Sequence, residues 1–265
     1  MNALLTVTVD PTIGKVEKSS LSTQTLMELF IEGIENRQVI CGSTEEPAEI
    51  EKWEGFAYSE EQPLDVGEKQ LEISWISLDL VGTIDLQWLP AAVLSVEILV
   101  NQLSGSLDLT SLPPLIRLLN LSTNAFSGEI DLRHLPAKLD TLFLSNNQLS
   151  GSLHLEELSQ SIQTLHVDLN RFTGTVCLRN LPSCLQYLAV TNNGLSGNVD
   201  LTGLPVMMKC LWLGKNNFEG KTDFSKLPED LNVLNVSYTN LSGVIETQNR
   251  TAQFRVEHSN VELIQ

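Results

Sequence analysis

The sequence has no apolar run near the roughly 18 to 20 residues that a membrane helix needs. Its first ten residues contain no lysine or arginine and only a very short apolar core, which makes a poor signal peptide. Cysteines are few and show neither the C-x-x-C pairing nor the clustering of a zinc site or a disulfide framework. These absences predict a cytoplasmic protein in which the four cysteines are free thiols: Cys41, Cys177, Cys184 and Cys210.

Basic residues are also scarce, since 16 lysines and arginines stand against 33 aspartates and glutamates, for a formal net charge of −17. Nucleic-acid binding needs clustered cations, so nucleic acid is excluded as a partner, and an anionic membrane surface is disfavoured for the same reason. Ten of the acidic side chains fall within residues 41–75. We interpret this acidic segment, 45–72, as a solvated edge, with a basic partner as the alternative.

Catalytic signatures are missing as well. The chain contains no P-loop, no dinucleotide-binding glycine motif, no serine-hydrolase elbow and no H-E-x-x-H. Its four histidines stand at different places in the repeat described next, so the sequence does not bring them together. We therefore predict a protein that is not an enzyme, without catalytic residues, bound metal or cofactor.

The sequence does contain a motif that repeats every 23 residues, and each unit carries a glycine at the same position. Two residues before each periodic glycine stands leucine or phenylalanine, and four before it stands asparagine, replaced by Leu78 and Thr239 in the outermost units. An apolar pair with the spacing L-x-L precedes each asparagine position. The periodic glycines are Gly82, Gly105, Gly128, Gly151, Gly174, Gly197, Gly220 and Gly243.

The physical meaning of each periodic position predicts a stacked architecture. The L-x-L pair points two apolar side chains to one face of a strand, and one unit of this length cannot bury that face alone. Stacked units share one core, and their strands form a parallel sheet with neighbours about 4.8 Å apart. The asparagine is expected to bond to the backbone of neighbouring turns, and the glycine to adopt a conformation closed to other residues. No helical pattern lies between the strands, so extended segments, turns and short 3-10 segments should form the other side.

As a consensus the unit is L-x-x-L-x-L-x-x-N-x-L-S-G-x-I-x-L-x-x-L-P-x-x, which resembles the plant-type leucine-rich repeat. The resemblance implies a horseshoe-shaped repeat solenoid, mainly β, with its parallel sheet on the concave face and turns and 3-10 segments on the convex face. We expect eight repeats over 70–250, preceded by a flexible N-terminus (1–20) and an N-terminal capping region (21–69). A degenerate repeat at 251–265 should form the C-terminal cap.

A solenoid exposes its core at both ends unless a cap covers it. Residues 22–36 predict an amphipathic helix with a capping box at Thr25–Glu28. The following Trp53-Glu54-Gly55-Phe56-Ala57-Tyr58 is similar to the cap of plant-type repeat proteins, in which W-x-G-V-x-C supplies a disulfide cysteine. Tyr58 stands in the cysteine position, so we expect no cap disulfide.

Side chains that alternate with the buried leucines point away from the core and form columns on the concave face. Aromatic rings on an open sheet face are unusual unless a partner covers them. The alternative is that the rings pack on one another across the strands and complete the sheet. We predict that the following residues bind the partner: Phe143, His166, Asp168, Tyr187, Trp212, Lys215 and Tyr238.

The leading functional hypothesis is a monomeric, non-catalytic scaffold that binds a protein partner through the concave face of the solenoid. The second is an extracellular recognition domain, similar to plant receptor ectodomains or wall-enzyme inhibitors, that binds a peptide, protein or glycan. The poor signal peptide and the missing cap disulfide argue against the second. A third makes the chain a regulatory part of a larger enzyme such as a receptor-like kinase, although the chain itself carries no kinase signature.

Overall fold

A computed structural model describes the protein at residues 17–59, 69–246 and 252–264. The segment predicted to be flexible, 1–20, lies outside the described residues up to position 16, and Lys18–Ser20 form a 3-10 turn. Most of the central part of the acidic segment, and the predicted boundary at 250, also lie outside the described residues.

The strands that carry the L-x-L pairs form one long sheet. Its pairings are parallel, except that the first strand, which belongs to the cap, runs antiparallel to the second. The strands are β1 (Phe56–Tyr58), β2 (Leu71–Ser74), β4 (Val93–Glu97), β6 (Leu118–Asn120), β8 (Thr141–Phe143), β10 (Thr164–His166), β12 (Tyr187–Ala189), β14 (Cys210–Trp212), β16 (Val233–Asn235) and β18 (Gln253–Arg255). From β4 to β16, neighbouring repeats pair in the 23-residue register, as His166 does with Phe143 and with Ala189, whereas the last pair is offset by 20 residues, as Leu234 is with Phe254.

A second parallel sheet, which the sequence analysis did not predict, follows the asparagine positions. The periodic glycines lie in its strands with φ between +82° and +149°, a region that favours glycine, and this confirms the expectation for those positions. Its strands are β3 (Val81–Thr83), β5 (Gln102–Gly105), β7 (Ala125–Glu129), β9 (Gln148–Gly151), β11 (Arg171–Gly174), β13 (Gly194–Gly197), β15 (Asn217–Lys221), β17 (Asn240–Glu246) and β19 (Asn260–Ile264).

The periodic asparagines form a ladder of side-chain hydrogen bonds between repeats, as predicted. Asn147 is typical: its Oδ1 accepts from the backbone N–H of Phe126 at 3.1 Å. Its Nδ2 donates to the carbonyl of Leu121 at 3.0 Å and to that of Leu144 at 3.1 Å. Each asparagine thereby satisfies backbone groups that the inward turn removes from the sheets.

Short 3-10 helices form the convex side at Leu86–Trp88, Leu109–Ser111 and Leu155–Glu157. Asp85 and Asp108 cap the first two, because each side chain accepts from the backbone N–H two residues later. An aspartate stands at the same repeat position in three other units: Asp131, Asp200 and Asp223. This column was not predicted from the sequence.

The N-terminal cap contains two short helices, α1 (Thr23–Phe30) and α2 (Gln38–Cys41), and a 3-10 turn at Ile50–Lys52. The helix predicted over 22–36 is therefore too long, and the predicted capping box is wrong. Ser22 caps α1, since its side chain accepts from the backbone N–H of Thr25. The helix ends at Phe30 because the next residues pair with the first repeat: Ile34 bridges Gly82.

The cap covers the first repeat with aromatic side chains. Phe30 and Trp75 are both fully buried, and their rings stack with centroids 5.8 Å apart. The indole N–H of Trp75 donates to the carbonyl of Glu54 at 2.7 Å, and Trp53 is buried beside it in the same core. Tyr58, in the position of the absent cysteine, donates to Glu51 at 2.9 Å.

All four cysteines are described, and all four are free. We expect denatured protein purified without reductant to titrate four thiols per chain with a thiol reagent, matching a reduced control. In the native protein Cys41 should react slowest, because it is the one buried thiol of the four, and burial also raises its pKa while the thiolate is the reactive form. A count below four would reveal a disulfide and argue for an oxidising compartment.

Candidate binding surface on the concave sheet

Four neighbouring strands place three of the predicted site residues, Phe143, His166 and Trp212, in one column of the concave sheet. Phe143 pairs with His166, His166 with Ala189, and Ala189 with Trp212, so each step along the column is one strand. At about 4.8 Å per step, Phe143 and Trp212 are about 14 Å apart. The leucines that alternate with these residues, such as Leu142, are fully buried, so the column faces away from the core.

The three rings of this column contact one another. The Phe143 and His166 rings meet edge to face with centroids 4.9 Å apart, and His166 and Trp212 do the same at 5.6 Å. Ala189, between the last two, is only 5% exposed. The rings thus pack across the strands as in the alternative interpretation, yet all three remain half-buried, so part of each ring still faces outward. We call Phe143, His166 and Trp212 the aromatic column.

His166 is the titratable member of the aromatic column. Burial lowers its pKa from the usual 6.5, and the nearby Asp168 carboxylate opposes part of that shift. The imidazole is therefore neutral at pH 7. Its Nε2 atom is buried and has no hydrogen-bond partner among the described residues, so it retains an unused donor or acceptor.

A shallow pocket of about 310 Å³ opens beside the aromatic column. Asp168 lies on its wall and accepts a hydrogen bond from the hydroxyl of Ser145 at 2.6 Å. Thr191 occupies the same repeat position as Asp168 one strand later, and its Oγ1 is buried without a hydrogen-bond partner in the described part of the chain. The pocket is lined by His166, Asp168, Ala189, Thr191, Trp212 and Asn235.

The other predicted site residues lie outside this pocket. Tyr187, on β12, has the Lys209 ammonium 5.9 Å from its ring centroid. Tyr238, 52% exposed, stacks on His258 at 4.4 Å, and the Lys215 ammonium lies 5.9 Å from the same tyrosine ring. The structure thus brings Phe143, His166, Asp168 and Trp212 together and places Lys215 and Tyr238 in a separate cluster nearer the C-terminal end.

Three of the residues that line the pocket were not predicted from the sequence to bind a partner: Ala189, Thr191 and Asn235. Their repeat positions do assign them to the concave face. A small or uncharged polar residue carries no signal of its own, however. The signal that could have identified them is the contrast in size between Ala189 and the large rings that flank it in the same column.

One further group with metal-type ligands arises on the convex side, where atoms of His154, Glu156 and Glu157 lie within 4.8 Å of one another. All three side chains are exposed and belong to one short turn. Such local acidic clusters are common on surfaces, so we assign no metal to them.

No helix in the described part of the chain is long and apolar enough to span a membrane.

Comparison with known proteins shows the fold through solved structures alone. No protein-family model matches the sequence, and no curated protein matches it either. The PEPR1–AtPEP1 complex aligns over 91% of this chain and 34% of that chain, with 21% identity and a TM-score of 0.68. The plant peptide hormone receptor RGFR1, solved with RGF2, aligns over 69% of this chain and 33% of that chain, with 22% identity and a TM-score of 0.56.

A plant ice-binding protein aligns over 92% of this chain and 95% of that chain, with 19% identity and a TM-score of 0.51. The chain spans about a third of the length of each of the two receptors. Since all these identities are below 25%, the similarity shows the fold only. Evidence about function has to come from the residues of the concave face. In its parallel sheets, asparagine ladder and 23-residue pairing, the chain has the fold of a leucine-rich-repeat solenoid and is similar in architecture to these plant proteins.

Proposed function

We propose that this chain is a non-catalytic recognition module that binds a protein or peptide partner on its concave sheet. The observation that carries the proposal is the aromatic column, in which three contacting rings stay half-buried on a face that contributes nothing to the shared core. Aromatic groups of this kind dominate binding energy at protein interfaces.

The repeat architecture favours binding by pre-organisation. The strands that carry the aromatic column, β8, β10 and β14, are each paired on both sides, and the neighbouring asparagines hold the turns that follow them. The aromatic column is therefore rigid before the partner arrives, so little conformational entropy is lost on binding. An extended segment lying across the strands would contact several repeats at once.

The similar solved structures support a peptide as the partner, because RGFR1 is a peptide hormone receptor solved with RGF2. They favour the extracellular recognition domain over the cytoplasmic scaffold that the sequence predicts. The thiol count described above tests the compartment independently of the partner, since it depends only on the four cysteines.

The double variant Phe143→Ala/Trp212→Ala tests the proposed surface. We expect it to fold, with a Tm within several degrees of the parent protein, because both side chains lie outside the fully buried core. Affinity for the partner should fall at least about tenfold, since two anchoring rings are lost. The measurement is quantitative capture of the partner from native lysate, followed by titration of the purified partner.

The matched control is Val206→Ala/Met207→Ala, which removes two exposed apolar side chains, 78% and 50% exposed, outside the concave sheet. Capture by this control should equal that of the parent. If the concave variant folds and still binds at full strength, the partner binds elsewhere, and the acidic segment 45–72 becomes the next candidate.

A further inference from the structure

We infer that the pocket beside Trp212 binds a cationic side chain, lysine or arginine, that projects from the partner. The inference rests on the proposed function, and it adds the chemistry of the group that is recognised. The pocket volume of about 310 Å³ is at the lower end of the range for ligand pockets, about 300–1,000 Å³, and suits a single side chain.

The polar groups that line the pocket can accept hydrogen bonds, so they favour a ligand group that donates them. The Asp168 carboxylate only accepts, and the single hydroxyl of Ser145 occupies one of about four lone-pair positions. His166 Nε2 and Thr191 Oγ1 are buried without partners in the described chain, and both atoms can accept. A guanidinium or ammonium group has donors only, so it complements the Asp168 carboxylate directly, and it can pair with His166 Nε2 and Thr191 Oγ1 once those side chains turn toward the pocket.

The charge of the pocket also favours a cationic group. Asp168 is the one charged residue among the six that line the pocket, because burial keeps His166 neutral at pH 7. Lys215, the cation among the predicted site residues, has its ammonium 5.9 Å from the Tyr238 ring centroid and does not line the pocket. A carboxylate from the partner would meet Asp168 directly, whereas a cation is attracted by it and by the net charge of −17.

Trp212 supplies the remaining wall. An indole face attracts cations within about 6 Å through its quadrupole, and a planar guanidinium also stacks on it. The edge-to-face contact with His166 fixes the orientation of the indole. Asn235 adds less, because its Oδ1 already accepts from the backbone N–H and the hydroxyl of Ser237, at 3.0 and 2.6 Å.

Three blocked pentapeptides with the sequence Gly-Ser-Xaa-Ser-Gly test the inference, where Xaa is arginine, its neutral isostere citrulline, or glutamate. Each is titrated into the full chain while NMR follows the Trp212 indole N–H, assigned with the Trp212→Phe variant. We expect the arginine peptide to shift this resonance and to bind about tenfold more tightly than the citrulline peptide, with no saturable shift from glutamate.

Two single variants separate the pocket charge from the general acidity of the chain. Asp168→Asn retains an oxygen that can accept from Ser145 but removes the charge, and should weaken the arginine peptide about fivefold. Glu97→Gln is the control. It removes a carboxylate that lies on the concave sheet in register with His166, three strands away from it, and should change the affinity less than about twofold.

Equal binding of the arginine and citrulline peptides would overturn the inference, as would tighter binding of glutamate. The inference would also be overturned if Asp168→Asn weakened binding of the arginine peptide no more than Glu97→Gln does. These failures are distinct from failure of the proposed function, which depends on whether Phe143→Ala/Trp212→Ala loses the captured partner. Loss of the partner in that variant, with no preference for arginine in the peptides, would retain the concave surface and reject the cation pocket.

Discussion

Deletion of residues 1–70 is expected to abolish cooperative unfolding and to cause aggregation. The cap covers Ile73, Trp75 and Leu80, which are between 0% and 1% exposed in the intact protein. Without it, β2 also loses its antiparallel partner β1, so an apolar face and an unpaired edge become exposed together. The measurements are circular dichroism melting and size-exclusion chromatography of the truncated chain.

The single substitution Phe30→Ala should produce the same effect in graded form. Phe30 is fully buried and stacks on Trp75, and truncation of a buried phenylalanine costs about 3–5 kcal/mol. Val39→Ala is the control, since Val39 belongs to the same cap but is 43% exposed and should cost little. If the truncated chain stays soluble and melts like the parent, residues 1–70 are an accessory segment and not a cap.

Asn147→Leu, in the interior of the asparagine ladder, should destabilise the protein more than the same change at an end of the ladder. It removes the acceptor for the Phe126 N–H, which remains inside the solenoid. It also removes one of the two asparagine donors to the carbonyls of Leu121 and Leu144, which keep Asn124 and Asn170 respectively. The unpaired N–H costs about 1–3 kcal/mol, and each of the two lost donations costs about 0.5–1.5 kcal/mol, so the free energy of unfolding should fall by several kcal/mol. Urea denaturation followed by circular dichroism measures the loss.

The matched control is Thr239→Leu at the outer end of the ladder. Thr239 donates to the Val236 carbonyl at 2.7 Å and accepts from the Leu241 N–H at 3.5 Å, so fewer groups depend on it. We expect its cost to be about half that of Asn147→Leu or less. Equal costs at the two positions would mean that the ladder does not stabilise the interior repeats through these bonds.

The sequence by itself determined the repeat, the concave sheet and the composition of the aromatic column. A strict period can be read from the sequence alone. Because Gly128, Gly151 and Gly174 are equally spaced, each unit places equivalent atoms in equivalent positions. The alternation of Phe143 with Leu142 and Leu144 likewise decides which face each side chain takes, because successive side chains of a strand point to opposite faces.

Only the tertiary structure decided the end of α1, the second sheet and the pocket. The helix ends at Phe30 because distant residues of the first repeat pair with the chain around Ile34, and helical periodicity carries no information about that pairing. The second sheet arises in the same way, from backbone bonds between repeats and not from alternating apolar residues. The unpaired atoms of His166 and Thr191 depend on how the neighbouring side chains pack around them, and a linear pattern cannot specify that arrangement.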